Sequence, residues 1–126
     1  MWHSIKNLKQ SDFHEISATC EIDPDSPWFS GHFPGEPILP GIAQLGIVLE
    51  TIEQSMKQKL VVSDVSRVRF KQIIRAGDLL RIVITPVEKK PGSYSFRIMV
   101  EEELACSGNM TVHIIPQGKI SDRITG

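Results

Sequence analysis

The sequence predicts an α+β domain in which an antiparallel sheet wraps a single buried helix. Two observations carry this. One long stretch, Gly41 to about Lys59, is free of proline, contains one internal glycine and repeats its apolar residues at helical spacing. A strand-like segment precedes it and four follow it, joined by connections short enough for hairpins or a meander.

Taken in order, residues 1–10 read as a weakly determined polar start with at most a short helical turn. From His14 to Ile22, the residues Ile16, Ala18, Cys20 and Ile22 share one face at period two, which predicts a strand with one wet face. Asp23-Pro24-Asp25-Ser26-Pro27 stops it, and loop is expected through Pro40, because Pro34, Pro37 and Pro40 each remove a backbone donor. The helix follows, with Ile42, Leu45, Leu49, Ile52 and Met56 as its apolar seam, Ile47 and Val48 widening the arc on its first half, and that first half buried. Strands are expected at Val61–Phe70, Asp78–Val87, Ser93–Glu101 and Glu103–Ile115, with Lys90-Pro91-Gly92-Ser93 as a turn. A single domain is expected over 1–126, with its core at about 12–115 and a polar, mobile tail over 117–126.

Composition excludes several classes of function. With 14 Lys+Arg against 15 Asp+Glu, no global field draws the chain to nucleic acid or to an anionic membrane. Cys20 and Cys106 are too far apart for a CxxC site and are read as buried, inert thiols. Neither a signal peptide nor an apolar run of membrane-spanning length is present, so a cytoplasmic protein is expected.

The chemistry concentrates in Gly31-His32-Phe33-Pro34-Gly35-Glu36-Pro37-Ile38-Leu39-Pro40-Gly41. A loop stiffened by three prolines holds an imidazole, the side chain suited to proton transfer near neutral pH, and leads straight into a helix N-terminus. Free backbone N–H groups at that end accept developing negative charge, so a carbonyl oxygen would be polarised there.

This run closely resembles the GHFPGxPxxPG motif of the FabZ/FabA-type 3-hydroxyacyl-acyl-carrier-protein dehydratases, matching at Gly31, His32, Phe33, Pro34, Gly35, Pro37, Pro40 and Gly41. Arg69-Phe70-Lys71 and Ala76-Gly77-Asp78 resemble the family's basic-Phe-basic strand and Gly-Asp turn. The resemblance implies a hot-dog fold, a curved antiparallel sheet around one central helix, with subunits paired through their sheets as a homodimer or an assembly of dimers. It implies a lyase that removes water from a 3-hydroxyacyl thioester in fatty-acid-type lipid metabolism. His32 would be the base, and the Gly41 amide would hold the thioester carbonyl. Gly41, Phe33, Gln44 and Gly46 are the candidate substrate-binding residues. No metal or redox cofactor is implied, the substrate being carried on the phosphopantetheine of acyl-carrier protein or on coenzyme A.

One departure bears on the mechanism. The family's acid, Glu or Asp, comes from the partner subunit's central helix, five residues after the last motif glycine, where this chain has Gly46. It often has Gln nine residues after that glycine, where this chain has Glu50. Positions four apart stack on one helix face and side chains lean toward the N-terminus, so Glu50 is the candidate substitute acid. The alternative for Glu50 is a solvated carboxylate beside Glu53 and Gln54. Gln44 lies either near substrate or in a local cap. His3, His14 and His113 have no motif around them and are read as surface or strand residues. Arg67, Arg69, Lys71 and Arg75, with Arg81, Lys89 and Lys90, form either a solvated face or a docking patch for an acidic acyl-carrier protein. Loss of the acid at Gly46 keeps a second reading open: a hot-dog thioesterase, or a module that binds an acyl thioester without turning it over.

Overall fold

The computed structural model describes residues 3–25 and 38–115, so His32, Phe33 and the 117–126 tail lie outside the described residues. The elements run β1 (His3–Gln10), β2 (Ile16–Ile22), α1 (Gly41–Met56), β3 (Leu60–Phe70), β4 (Leu79–Pro86), β5 (Ser93–Val100) and β6 (Glu103–Ile114). The strands form one six-stranded sheet in the order β1-β2-β4-β5-β6-β3, antiparallel throughout. The helix packs against this sheet, and the core joins Val48 and Ile52 of α1 to Leu80, Ile82, Phe96, Ile98 and Met110 of the strands.

The four strands after the helix fall within a residue or two of their expected bounds, because alternation and turn chemistry mark them independently. Gly92 shows the turn chemistry at work. Its φ is +86°, its carbonyl accepts from Val112 N–H, and a Cβ there would meet the Val112 carbonyl oxygen at 2.9 Å.

Three expectations are corrected. The first ten residues are not a helical turn, because His3–Gln10 forms an edge strand paired with β2, His3 opposite Ile22 and Gln10 opposite Ile16. Its polarity and the register shift between Lys6 and Lys9 are features of a protected sheet edge, which weaken the periodic signal. The helix stops at Met56 rather than near Lys59, since Lys57 turns left-handed (φ 56°) and donates its N–H to the Glu53 carbonyl.

The third correction concerns the helix face. The side turned to the sheet carries Ala43, Gln44, Ile47, Val48, Thr51 and Ile52. Of the expected seam only Ile52 is buried. Leu45 and Leu49 pack partly against the core, Ile42 is 70% exposed and Met56 37%. The apolar arc of α1 is wide enough to hold two adjoining stripes, and periodicity alone cannot say which one meets the sheet. The stripe that meets it includes Thr51, whose hydroxyl is satisfied by the Ile47 carbonyl at 2.7 Å.

Candidate active site

The entry to α1 is fixed by a turn brought alongside it. Ile38 bridges to Arg75, Leu39 donates its N–H to the Ile74 carbonyl at 2.7 Å, and Leu39 and Ile74 are both buried. Arg75-Ala76-Gly77-Asp78 closes on itself: Asp78 N–H donates to the Arg75 carbonyl and the Asp78 carboxylate accepts from Arg75 N–H at 2.8 Å. The expected Gly-Asp turn thus holds the last motif residues at the helix start.

That start has no side-chain cap. Pro40 is the N-cap, in extended conformation, and no acidic residue stands in the first turn. The Pro40 carbonyl accepts from Ala43 and Gln44 N–H, while the N–H groups of Gly41 and Ile42 make no backbone bond among the described residues. Among the described residues these two donors, at the positive end of the helix dipole, point to no partner, and such groups suit an oxygen carrying developing charge. Phe70 covers Gly41 so closely that a Cβ at Gly41 would lie 2.6 Å from the ring's Cζ. A glycine is needed there for the ring and the backbone to approach.

Gln44 is 4% exposed. Its Nε2 donates to the Leu39 carbonyl at 3.2 Å, and because a carbonyl only accepts, the amide orientation is fixed. Among the described residues its Oε1 is then buried without a partner, an arrangement that costs about 1–3 kcal/mol unless a donor reaches it. Gln44 therefore caps locally with one end and keeps an unsatisfied acceptor at the other. Gly46 is open: apart from its chain neighbours and the backbone of its own stretch of helix, no heavy atom of the described residues, Glu50's side chain included, comes within 4 Å of where its Cβ would stand.

Glu50 sits on the third turn with a partner the sequence did not reveal. Its Oε2 is hydrogen-bonded to Nε2 of His3, which arrives on β1 from 47 residues away. The side chains of both are mostly covered, 20% exposed for His3 and 29% for Glu50. Below them Cys20 is fully buried, and its thiol is pushed up to about 12 by burial first and by the charge of Glu50 second. Cys106, also fully buried, is pushed up to about 11 by burial alone. Both thiols are protonated at neutral pH and nucleophilically inert, as the sequence suggests.

Arg67, Arg69, Lys71 and Arg75 are exposed along the β3 edge and the turn beyond it, and none is in an ion pair among the described residues. The same edge exposes Val61, Val62, Val65 and Phe70. Its pairing with β6 shifts register twice, and Arg67 at the second shift has φ 55°. Among the described residues no helix is long and apolar enough to cross a membrane.

Comparison with known proteins fixes the family. A family description reading "ApeI dehydratase" matches residues 8–109, most of the chain. The chain belongs to the ApeI-like dehydratase family. It is similar to the 3-hydroxyacyl-[acyl-carrier-protein] dehydratase FabZ of Caldicellulosiruptor saccharolyticus, 34% identical over 95 residues that cover 68% of each chain. Among solved structures it resembles the dehydratase heterocomplex ApeI:P from Xenorhabdus doucetiae, with TM-score 0.77 and 28% identity over 89% of this chain and 98% of that one. A hypothetical thioesterase with coenzyme A from Streptococcus pneumoniae shares the fold alone, with TM-score 0.60 and 13% identity over 90% of this chain and 85% of that one. The fold is the hot-dog fold, and the resemblance carried by the His32 motif is met by the family. An ApeI-like dehydratase is a hydro-lyase, and the thioesterase likeness is too distant to say more than fold.

Proposed function

We propose that this ApeI-like chain removes water from a 3-hydroxyacyl thioester carried on acyl-carrier protein, with His32 as base, the Gly41 amide as carbonyl anchor and Glu50 as acid. The observation that carries the reading is the uncapped start of α1, where the Gly41 and Ile42 N–H groups have no backbone partner among the described residues and Phe70 lies against Gly41. A thioester carbonyl accepting from Gly41 N–H becomes electron-poor, and the hydrogen on the adjacent carbon becomes acidic. His32 takes that proton. The C–H electron pair forms the double bond, and the C–O bond breaks with its pair on the departing oxygen. Glu50, contributed by the central helix of the other subunit, supplies the proton that turns that oxygen into water. Phe33 and Gly46 border the acyl chain in this reading, and the Gln44 Oε1 offers an acceptor to a hydroxyl or amide hydrogen. The reaction as written needs no metal or redox cofactor.

The active assembly is a dimer formed along the β3 edge, where an eleven-residue strand leaves apolar side chains uncovered. The partner is a second copy or, as in the Xenorhabdus heterocomplex, a different dehydratase subunit. Arg67, Arg69, Lys71 and Arg75 receive the acidic carrier protein, and the near-neutral net charge and absence of a long apolar helix among the described residues fit work in the cytoplasm.

A second reading rests on Gly46: a domain that kept the histidine loop and binds acyl thioesters without dehydrating them. Incubation with a 3-hydroxyacyl thioester decides between the two. Enoyl product supports the dehydratase, whereas free thiol means thioester hydrolysis and binding without either product means a module.

A further inference from the structure

We propose that His3 is the positioning residue of Glu50, so that the first strand of the sheet is part of the catalytic unit. The inference deepens the reading of Glu50 as acid and rests on it. Glu50 has three side-chain torsions and would fan over several rotamers if unpartnered. Its only hydrogen bond among the described residues runs from Oε2 to His3 Nε2. His3 is well placed to hold it, since its backbone is registered opposite Ile22 in β1–β2 and its side chain is mostly covered.

Other neighbours of the pair are less suited to the task. Cys20 beneath it keeps its proton, Glu53 on the next turn is engaged by Leu60 N–H at 3.0 Å, and Glu21 is exposed. His3 also borders a hollow of about 630 Å³ with Glu21, Asp23 and Gly77, and Glu50 borders one of about 350 Å³ with Glu53 and Lys57, so the pair stands between the two.

The division of labour follows from the atoms. With Oε2 held by the Nε2–H of His3, Oε1 carries the proton given to the leaving hydroxyl. As the C–O bond breaks and its electron pair takes that proton, the carboxylate left on Glu50 is stabilised by a donor already in place. Loss of the donor leaves the acid present but badly aimed, a fault that lowers kcat more than it raises KM.

The test is a set of variants assayed with a 3-hydroxyacyl thioester, each also melted. His3→Ala and the bulkier His3→Phe, which keeps ring volume on β1, are expected to lower kcat about 10-fold with KM changed less than about two-fold. His3→Gln, whose amide N–H donates from a similar distance, is expected to keep most of the rate. In His3→Ala with Glu50→Gln the loss should equal that of Glu50→Gln alone, because the two side chains act as one unit. A slow Glu50→Gln beside a full-rate His3→Ala and His3→Phe overturns the role of His3 and leaves Glu50 as the acid. A full-rate Glu50→Gln overturns the acid, and His3 with it. Equal melting losses in all three His3 variants, without rescue of kcat by Gln, mark His3 as a strand residue only and also overturn the proposal.

Discussion

The first and third turns of α1 serve the same proposed reaction by different physical means. The first turn works through its backbone. Gly41 and Ile42 offer N–H groups because every helix leaves such groups at its start, and Phe70 lies close because Gly41 has no side chain. The third turn works through a side chain whose setting is made elsewhere: Glu50 is hydrogen-bonded to His3, 47 residues earlier, on the edge strand β1 at the other end of the sheet from β3. A site built from backbone is written locally in its glycines and prolines, whereas a site built from a tertiary contact is not.

The sharpest way to break this comparison is to disturb the face that carries both turns. Val48 is fully buried between them, so Val48→Asp should cost about 3–5 kcal/mol by placing an unpaired charge in the core. Leu45→Asp, on the partly covered stripe, should cost about 1–3 kcal/mol. Chemical denaturation of the two variants orders them, and equal losses would mean that the helix presents both stripes to the sheet alike.

A second intervention removes the proposed base, His32. His32→Ala is expected to lower dehydration about 10²-fold or more with an unchanged melting temperature. Unchanged turnover would take His32 out of the mechanism.

The smallest effect uses the two thiols as internal probes. The Cys20 thiol is pushed up to about 12, by burial first and by the charge of Glu50 second, and Cys106 to about 11 by burial alone. Glu50→Gln should therefore lower the Cys20 value and leave that of Cys106 in place, read from thiolate absorbance in single-cysteine variants. Both thiols also set a direction for stability. Their folded-state values lie above the unfolded value of 9.0, so their contribution is full below that pH and is lost as pH rises toward 11 and 12. A protein that gains stability above pH 9 would contradict the burial of these groups.

How much of this was legible beforehand follows the same division. The strands from Leu60 onward and the start of α1 could be read because alternation, prolines and the Gly92 turn act over a few residues. The last motif residues and the Gly77-Asp78 turn were each recognisable, and the structure adds that one anchors the other through Ile38, Leu39, Ile74 and Arg75. The first strand was missed because Lys6, Asn7, Lys9 and Gln10 give a sheet edge no apolar period, and with it went any view of His3 as a partner. The helix face was misassigned because Gln44 and Thr51 do not read as core, although one caps Leu39 and the other its own helix. No local signal joins His3 to Glu50. Only the register of β1 against β2 brings the imidazole to that turn.

The measurement that bears most directly on the central claim is the rate of enoyl-thioester formation by Glu50→Gln, alone and combined with Gly46→Glu. Glu50→Gln keeps size and hydrogen-bonding capacity while removing the proton, so the rate should fall about 10²-fold with substrate binding retained. The space around Gly46 is open, and a side chain there relieves a helix-interior glycine worth about 1 kcal/mol, so the double variant should fold and regain part of the rate. A Glu50→Gln enzyme that dehydrates at the parent rate would contradict the account.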